Sequence, residues 1–237
     1  MKIRADELLV LQKSAQTRSQ AKQLIKQGVV FYSGKQITKP AQLLNQTDKL
    51  KLTTQEQYVG RGAVKLKAAI EEFNINPQDK IAADFGASTG GFTDYLLQKG
   101  AQKVYAIDVG HSQLAPKLRN NPQVINMEKT NIKDVISLPE QPEIIVIDLS
   151  FISLRHAIEK AVDFLKPNGD IIALFKPQFE AGKDALRKDG TIKDPEIAKQ
   201  ALQDFESWCH TKNIQIKQSI LCPITGKKGN QEYLLHL

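Results

Sequence analysis

The fold is decided by residues 81–92, which read IAADFGASTGGF. An apolar run ends in an acid, a glycine-rich turn follows, and a helical pattern begins directly after the turn. Gly86 and Gly90 lack a Cβ and tolerate backbone angles that are closed to other residues, so the chain can pass close under a ligand at the carboxyl end of a strand. The arrangement is typical of a nucleotide-cofactor loop in an α/β protein.

The order of residues in this stretch discriminates between ligands. A dinucleotide site places glycines as G-x-G-x-x-G to bring helix amides onto a pyrophosphate, whereas here Asp84 comes first and the spacing is D-x-G-x-x-x-G. An acid at the strand tip repels a phosphate but suits a cationic ligand with an ammonium group, such as S-adenosylmethionine. An ordinary βαβ turn with a structural Asp and Gly is the alternative interpretation.

A second acid supports the cofactor interpretation. Residues 103–108 read KVYAID, a short β-type run ending in Asp108, 24 residues after Asp84. An α/β nucleotide fold places the carboxylate that holds the ribose hydroxyls close to this spacing. The two acids together favour a cofactor site over an isolated structural turn.

Length and composition bound the class of protein. A chain of 237 residues with 41% hydrophobic content accommodates one large domain, or one with a small module beside it. No apolar run approaches the roughly 18 residues needed to cross a bilayer, and no signal-peptide core is present, so we expect a cytoplasmic protein without a membrane partner. Cys209 and Cys222 have no CxxC spacing, which predicts small buried side chains and no structural metal.

Charge is concentrated in the first quarter of the chain. Residues 1–57 hold ten Lys or Arg against four Asp or Glu, which is +6 of the total net charge of +7. Such asymmetry is typical of a nucleic-acid module joined to a near-neutral catalytic body. A merely solvated charged face is the alternative.

The pattern within this basic segment favours the nucleic-acid interpretation. A first helix has Leu8, Leu9 and Leu11 on its apolar side, and residues 17–28 predict a second helix that ends at Gly28. On the second helix, the core stripe consists of Ala21, Leu24 and Ile25. Its cations recur every four residues on another face, at Arg18, Lys22 and Lys26, an arrangement that suits a phosphate backbone.

The rest of the segment predicts a strand at 29–32, a tight turn at 33–35 and a closing strand at 49–52. Residues 4–52 resemble the S4 RNA-binding domain, with its Arg-x-Asp start, its Thr-Arg-x-x-Ala helix and its G-x-V-x-x-x-G turn. The resemblance implies RNA contacts, and the expected set is Arg4, Arg18, Lys22, Lys26 and Arg61.

Beyond residue 60, helices and strands alternate to the end of the chain. A helix is predicted over 63–73, with Val64, Ala68 and Phe73 toward a core. Strands are predicted at 80–84, 103–107, 123–126, 143–148, 170–175, 215–222 and 231–236. The alternation indicates a largely parallel, Rossmann-like α/β sheet covered on both faces. The predicted organisation is an α+β S4 domain at 1–54, a linker at 55–60 and a methyltransferase domain at 61–237.

Four further charged residues lie where such a sheet builds its site. Asp148 and Lys176 follow apolar strands, Glu232 begins the last strand, and Lys65 lies on the helix before the first strand of the sheet. Taken singly, a charged residue at such a position is more often a surface charge or a member of a structural ion pair than a catalytic group. As a quartet they suggest a cleft in which a lysine beside a second cation releases its proton more readily and carboxylates orient it.

The quartet matches a known family. The chain from residue 58 resembles the FtsJ-like RNA ribose 2′-O-methyltransferases, which use a Lys-Asp-Lys-Glu tetrad; with the S4 segment it resembles the TlyA-type, or hemolysin A, family. The matching strings are YVGRGA at 58–63, DFGASTGGFTD at 84–94, DLSFISL at 148–154, KPQFE at 176–180 and GNQEYL at 229–234. The resemblance implies methyl transfer from S-adenosylmethionine to a cytidine 2′-hydroxyl of ribosomal RNA, in free RNA or in ribosomal subunits.

The resemblance also implies roles for individual residues. Lys176 is expected to receive the proton of the ribose hydroxyl, Lys65 and Asp148 to tune and position it, and Glu232 to fix Lys65 or the ribose. The residues expected around the methionine part of S-adenosylmethionine are Asp84, Gly86, Ser88, Thr89 and Gly90. Asp108 is expected to bind its ribose, and Val109 and Asn131 are expected to contact its adenine.

Three other functions are alternatives to this one. A catalytically inactive RNA-binding factor for ribosome assembly is the main alternative, although decay would be expected to alter the quartet and the cofactor residues first. A small-molecule methyltransferase leaves the basic segment unexplained. A membrane-lytic role is suggested only by the hemolysin label, and no amphipathic or spanning segment supports it.

Overall fold

The computed structural model describes residues 2–26, 29–52 and 58–237. The chain divides into two compact units, unit 1 at Met1–Gln57 and unit 2 at Tyr58–Leu237. Residues 55–57 of the expected linker and the helix-ending Gly28 lie outside the described residues. The domain limits 1–54, 55–60 and 61–237 therefore stay predictions.

Unit 1 is a small α+β module. Its elements in chain order are β1 (Lys2–Arg4), α1 (Ala5–Leu11), α2 (Arg18–Lys26), β2 (Val30–Tyr32), β3 (Lys35–Gln36), β4 (Leu43–Asn45) and β5 (Lys51–Leu52). β1 pairs with β4, and β2 lies between β3 and β5, all antiparallel. The two helices pack on a core that includes Leu8, Leu9, Ala21 and Ile25. The expected stripe of α2 is confirmed, but Leu11 is 53% exposed because it ends α1 on the solvent side.

Unit 2 is an α/β domain. Its elements are α3 (Gly62–Glu72), β6 (Ile81–Phe85), α4 (Gly91–Gln98), β7 (Lys103–Ile107), α5 (Pro116–Arg119), β8 (Val124–Met127), β9 (Ile144–Ile147), α6 (Leu154–Phe164), β10 (Asp170–Phe175), α7 (Pro177–Glu180), α8 (Pro195–Thr211), β11 (Gln218–Leu221) and β12 (Tyr233–His236). All seven predicted strands are present, within a few residues of the predicted limits.

The sheet of unit 2 has the order β11-β12-β10-β9-β6-β7-β8. The five strands from β10 to β8 are parallel, whereas β12 runs antiparallel to both β10 and β11. The prediction of a largely parallel sheet is confirmed. Because β6, β7, β9 and β10 are parallel, their carboxyl ends meet at one edge, which is where such sheets build ligand sites.

Successive side chains of each strand point to opposite faces of the sheet, so the core of unit 2 has two layers, one on each face. In β6, Ala82 packs with α3 and α4, while Ala83 and Phe85 pack with α6 and α8. The helix α3 presents Ala63 and Leu66 to its core. The expectation for Val64 is wrong: it is 45% exposed, because the buried positions of α3 are Ala63, Lys65, Leu66, Ala69 and Ile70 and these leave position 64 facing solvent. Ala68 is partly buried and packs against this core. Phe73 is buried as predicted.

Two simpler expectations concern cysteines and membranes. Cys209 and Cys222 are both buried free thiols, as predicted. Across the described ranges, none of the helices is both long and apolar enough to cross a bilayer.

Candidate active site

The glycine-rich loop turns sharply between β6 and α4. Gly86 and Gly90 have φ values of +91° and +92°, in the left-handed region that favours glycine. A Cβ on Gly86 would lie 2.5 Å from the carbonyl oxygen of Asp148, so a side chain there would collide with the backbone that follows β9. The glycine is required because two loops approach closely at the carboxyl edge of the sheet.

Asp84 lies beneath this loop and is fully buried. Its Oδ2 accepts hydrogen bonds from the backbone N–H of Thr93 at 3.0 Å and from the Thr93 hydroxyl at 2.7 Å, which fixes the first turn of α4. Its Oδ1 has no hydrogen-bond partner. Burial raises the pKa of Asp84 to about 7; Asp148 and Asp108 also raise it, against the bonds from Thr93.

Asp108 joins the end of β7 to the same loop. Its Oδ2 accepts from the backbone N–H of Ser88 at 2.8 Å, and its Oδ1 accepts from that of Gly110 at 2.6 Å. The carboxylate is half-buried, and each oxygen retains a further lone pair for a ligand. Ser88 and Thr89 are exposed on the loop, and Val109 beside Asp108 is 69% exposed.

Sequence reasoning missed a second support of this region, at Glu128. Its Oε1 accepts from the backbone N–H groups of Gln113 at 2.6 Å and Leu114 at 3.0 Å, and its Oε2 accepts from Asn126. These bonds, led by that from Leu114, lower the pKa of Glu128 to about 2. Gln113 in turn accepts a hydrogen bond from the Ser88 hydroxyl at 3.2 Å. Glu128 therefore holds the loop after β7 against the glycine-rich loop.

Asn131 lies beyond β8 and is exposed. Its side chain accepts from the backbone N–H of Lys133 at 3.1 Å and begins a short 3₁₀ turn. It lines an open cavity of about 410 Å³ together with Met127, Lys129 and Thr130. The backbone N–H of Thr130 donates to the carbonyl of Asp108, so this cavity adjoins the end of β7.

The quartet forms two ion pairs, and the first joins Lys176 to Asp148. Lys176 Nζ lies 2.5 Å from Asp148 Oδ1, 2.8 Å from the carbonyl oxygen of Leu149 and 3.1 Å from Ser150 Oγ. The lysine side chain is 10% exposed and the aspartate 25%. Three acceptors match the three N–H groups of an ammonium, so the lysine is held in one position.

The second pair joins Lys65 of α3 to Glu232, which immediately precedes β12. Lys65 Nζ lies 2.5 Å from Glu232 Oε2, and both side chains are buried. Gln178 donates from Nε2 to Glu232 Oε1 at 3.4 Å. Because Gln178 follows Lys176 by two residues, this bond links the segment that carries Lys176 to the second pair. Each of the two lysines thus faces a carboxylate. The expectation that one lysine lowers the proton affinity of the other stays a prediction. Buried charges of this kind persist only when they are paired.

The expected RNA-binding residues of unit 1 fall into two groups. Arg4 and Arg18 both bond to the buried carboxylate of Asp6, at 3.0 Å and 3.2 Å, and Arg18 also pairs with Glu7. These bonds outweigh the effect of burial and hold the pKa of Asp6 below its usual value. Lys22 and Lys26 are exposed on α2. Arg61, which precedes α3 in unit 2, is exposed as well.

Two observations favour a cationic methyl donor at the glycine-rich loop. The unpartnered Oδ1 of Asp84 is a buried acceptor beneath the loop. Asp108 is a half-buried carboxylate at the same edge of the sheet, and among the contacts of the described residues no cation lies beside it. A phosphate would be repelled there, whereas an ammonium would be attracted. In the same described ranges, no cluster of three His, Cys, Asp or Glu side chains is arranged to hold a metal ion.

Comparisons with known proteins agree with this geometry. Residues 58–237 match the model of the FtsJ-like methyltransferase family, and residues 3–50 match that of the S4 domain. Hemolysin A of Brachyspira hyodysenteriae is 39% identical over 99% of each chain. The 16S/23S rRNA (cytidine-2′-O)-methyltransferase TlyA of Mycobacterium tuberculosis is 38% identical over 99% of this chain and 89% of its own.

A solved structure gives the same result. A Streptococcus thermophilus protein, provisionally named a hemolysin, is 37% identical and superposes with a TM-score of 0.73 over 99% of this chain and 87% of its own. The chain therefore belongs to the FtsJ-like methyltransferase family and carries an S4 domain ahead of its methyltransferase domain.

Proposed function

We propose that this protein transfers a methyl group from S-adenosylmethionine to the 2′-hydroxyl of a cytidine in ribosomal RNA. The observation that carries the proposal is the pairing of Lys176 with Asp148 and of Lys65 with Glu232 at the edge of the sheet where the glycine-rich loop lies. The relatives named as ribosomal RNA (cytidine-2′-O)-methyltransferases support the choice of substrate.

In this proposal the carboxyl edge of the sheet holds the cofactor. Gly86, Ser88, Thr89 and Gly90 surround its methionine part with Asp84 beneath them, Asp108 accepts from its ribose hydroxyls, and Val109 and Asn131 flank its adenine. When bound, S-adenosylmethionine supplies an activated methyl group on a positively charged sulfur. The chain must then bring a ribose oxygen in line with that methyl group and remove the hydroxyl proton.

The quartet performs the second task. Asp148 and the carbonyl of Leu149 hold Lys176 Nζ in place. We assign the ribose hydroxyl to a position beside this atom. With the cofactor bound, the 2′-oxygen would take its methyl group as the carbon–sulfur bond breaks, and the hydroxyl proton would pass to a basic group of the chain. Lys176 is assigned as that group, in the neutral form that it reaches by releasing one of its own protons to solvent before transfer. Asp148, an ionised carboxylate, is the next candidate. Lys65, held by Glu232, positions the ribose.

Recognition of the RNA is assigned to both units. The exposed Lys22 and Lys26 of unit 1 supply phosphate contacts, together with the outer edges of Arg4 and Arg18 and with Arg61. The natural substrate is ribosomal RNA or a ribosomal subunit, which would place the protein in the cytoplasm.

An inactive assembly factor is the alternative function, and one assay separates the two. The purified chain is incubated with methyl-labelled S-adenosylmethionine and with each ribosomal subunit from cells that lack the enzyme, and the label is mapped to a nucleotide. We expect label on a cytidine ribose. Lys176→Ala should abolish it, whereas Lys199→Ala, an exposed lysine on α8, should not.

Binding of subunits without transfer of label would overturn the proposal in favour of an assembly factor. Label on a base instead of a ribose would retain the methyltransferase assignment but contradict the proposed chemistry. Transfer to small molecules in the absence of RNA would indicate a different substrate class.

A further inference from the structure

Two turns beside the quartet carry exposed lysines that the proposed mechanism does not use. The first turn spans residues 226–229 and has Lys227 and Lys228 at its tip; it is closed by a hydrogen bond of 2.9 Å from the N–H of Gly229 to the carbonyl of Gly226. A Cβ on Gly226 would lie 2.5 Å from Glu232 Oε1, so this turn packs directly on the carboxylate that holds Lys65.

The second turn belongs to a tight hairpin that follows α7. Leu186 and Ile192 form its bridge, and the N–H of Gly190 donates to the carbonyl of Arg187 at 2.9 Å. The Arg187 guanidinium donates to the carbonyls of Ile192 and Lys193 at 2.6 and 2.7 Å and so braces the hairpin from within. Lys188 remains exposed at its tip.

A buried asparagine clamps the two turns together. Asn230 is 7% exposed, accepts from the N–H of Ile192 at 2.9 Å and donates to the carbonyl of Gly190 at 3.1 Å. Lys228 Nζ lies beside Gly190 as a result. The position of the lysines is therefore set by a braced hairpin and a buried amide rather than by two independent loops.

The charge of this surface is unbalanced. Across the described residues, no carboxylate is recorded within ion-pair distance of Lys188, Lys227 or Lys228. The acid nearest in sequence is Asp189, whose Oδ1 accepts from the N–H and the hydroxyl of Thr191 at 2.9 and 2.7 Å. Many other surface lysines of unit 2 face an acid, as Lys166 faces Glu143 and Lys212 faces Glu159. Unpaired cations held in place beside a reaction site suit a polyanionic ligand.

We infer that Lys188, Lys227 and Lys228 form a phosphate-binding rim that holds the RNA strand next to the ribose being methylated. The inference rests on the proposed function, because it needs an RNA substrate at the quartet. It adds a contact made by the catalytic unit itself, separate from the S4 domain. Its role is to position the strand, so its loss should affect substrate binding and leave the chemical step intact.

The test replaces all three lysines by Gln and measures methyl transfer over a range of salt concentrations. The variant should have an RNA KM at least about tenfold higher near physiological salt, with kcat at saturating RNA unchanged. The dependence of log KM on log salt should flatten by about 0.7 to 0.9 for each phosphate contact that is lost. Affinity for S-adenosylmethionine, measured by calorimetry, should be unchanged and would show that the fold is intact.

A matched control removes the same charge elsewhere on unit 2. Lys166, Lys199 and Lys212 are exposed lysines that pair with neighbouring acids, and their triple Gln variant should retain the wild-type salt slope. An equal loss in this control, or a wild-type slope in the rim variant, would overturn the inference. So would a defect on intact subunits that disappears on protein-free ribosomal RNA, because the lysines would then meet a ribosomal protein. A wild-type enzyme that methylates no RNA would instead overturn the proposed function.

Discussion

The Nζ atom of Lys176 lies 2.5 Å from Oδ1 of Asp148. With the Leu149 carbonyl and the Ser150 hydroxyl, this carboxylate supplies an acceptor for every N–H of the lysine. An ammonium so placed is held rigidly, but it can take up a proton only after it has released one. The pair, rather than the lysine alone, is therefore the unit that must handle the hydroxyl proton.

Lys176→Arg tests which member of the pair takes the proton. Arginine keeps a positive charge beside Asp148 but stays protonated at any ordinary pH, so it cannot act as a base. If Lys176 is the acceptor, methyl transfer should fall at least ~10²-fold while affinity for S-adenosylmethionine stays nearly constant. Single-turnover transfer and calorimetry would measure the two effects.

Near-normal transfer by the same variant would contradict the assignment and make Lys176 a positioning charge. Asp148, which is more exposed than Lys176, would then be the acceptor. Asp148→Asn should in that case cause the larger loss of the two.

Asp108→Ala tests the cofactor site at the end of β7. The change removes the proposed acceptor for the ribose hydroxyls and the bonds to Ser88 and Gly110. Charge-assisted hydrogen bonds contribute roughly 1.5–3 kcal/mol each, so affinity for S-adenosylmethionine should fall at least tenfold. Unchanged affinity by calorimetry would rule out the assignment. Glu128→Gln provides a comparison, because it weakens the same loop without touching the proposed ribose site.

The basic face of α2 gives a third prediction. Replacing Lys22 and Lys26 by Gln should weaken RNA binding and flatten its salt dependence by roughly 0.7 to 0.9 log units for each lost contact, with cofactor binding intact. Arg18→Gln should act differently: it removes a partner of the buried Asp6, so it should lower the stability of unit 1 as well. A wild-type salt slope in the lysine variant would mean that the face is only solvated.

The sequence alone predicted the sheet and singled out the four residues that form the two lysine–carboxylate pairs. It could do so because the patterns that identify strands and the charged residues at their ends are local. An apolar strand that ends in a charged residue is visible without knowledge of any distant contact, as for Asp148 and Lys176. The partner of each lysine was not predictable, since Lys65 meets Glu232 across 167 positions of sequence. Only the antiparallel return of β12 brings the two together.

Other contacts were not predictable for the same reason. Arg18 lies on the same face of α2 as Lys22 and Lys26. The helical spacing does not predict that Arg18 also forms an ion pair with Asp6 on α1. The sequence around Glu128 does not distinguish it from other polar residues that follow a strand. Its role depends on hydrogen bonds from backbone N–H groups fourteen and fifteen positions away in the chain. Periodicity predicted the core position of Phe73 but not the exposure of Val64, because it does not fix how wide the buried stripe of α3 is at each turn.

Asp84 gives a prediction about pH. Its pKa is about 7 in the folded protein and 3.8 in its ordinary state, so between these values the folded state binds more protons than the unfolded state. The contribution of Asp84 to the free energy of unfolding is therefore greatest at low pH and decreases as the pH rises from about 4 to about 7. The difference of about 3 pKa units corresponds to a loss of at most about 4 kcal/mol.

Asp84→Asn should remove this dependence. The amide oxygen can still accept from Thr93, while the new N–H₂ takes the place of the unpartnered oxygen at a cost that does not vary with pH. The stability of the variant relative to the wild type should therefore increase steadily between pH 4.5 and pH 7.5. Urea unfolding followed by the fluorescence of Trp208, the single tryptophan of the chain, reports on unit 2. A difference between the two proteins that is constant across this range would show that Asp84 is ionised throughout, and its buried carboxylate would then need a cationic partner.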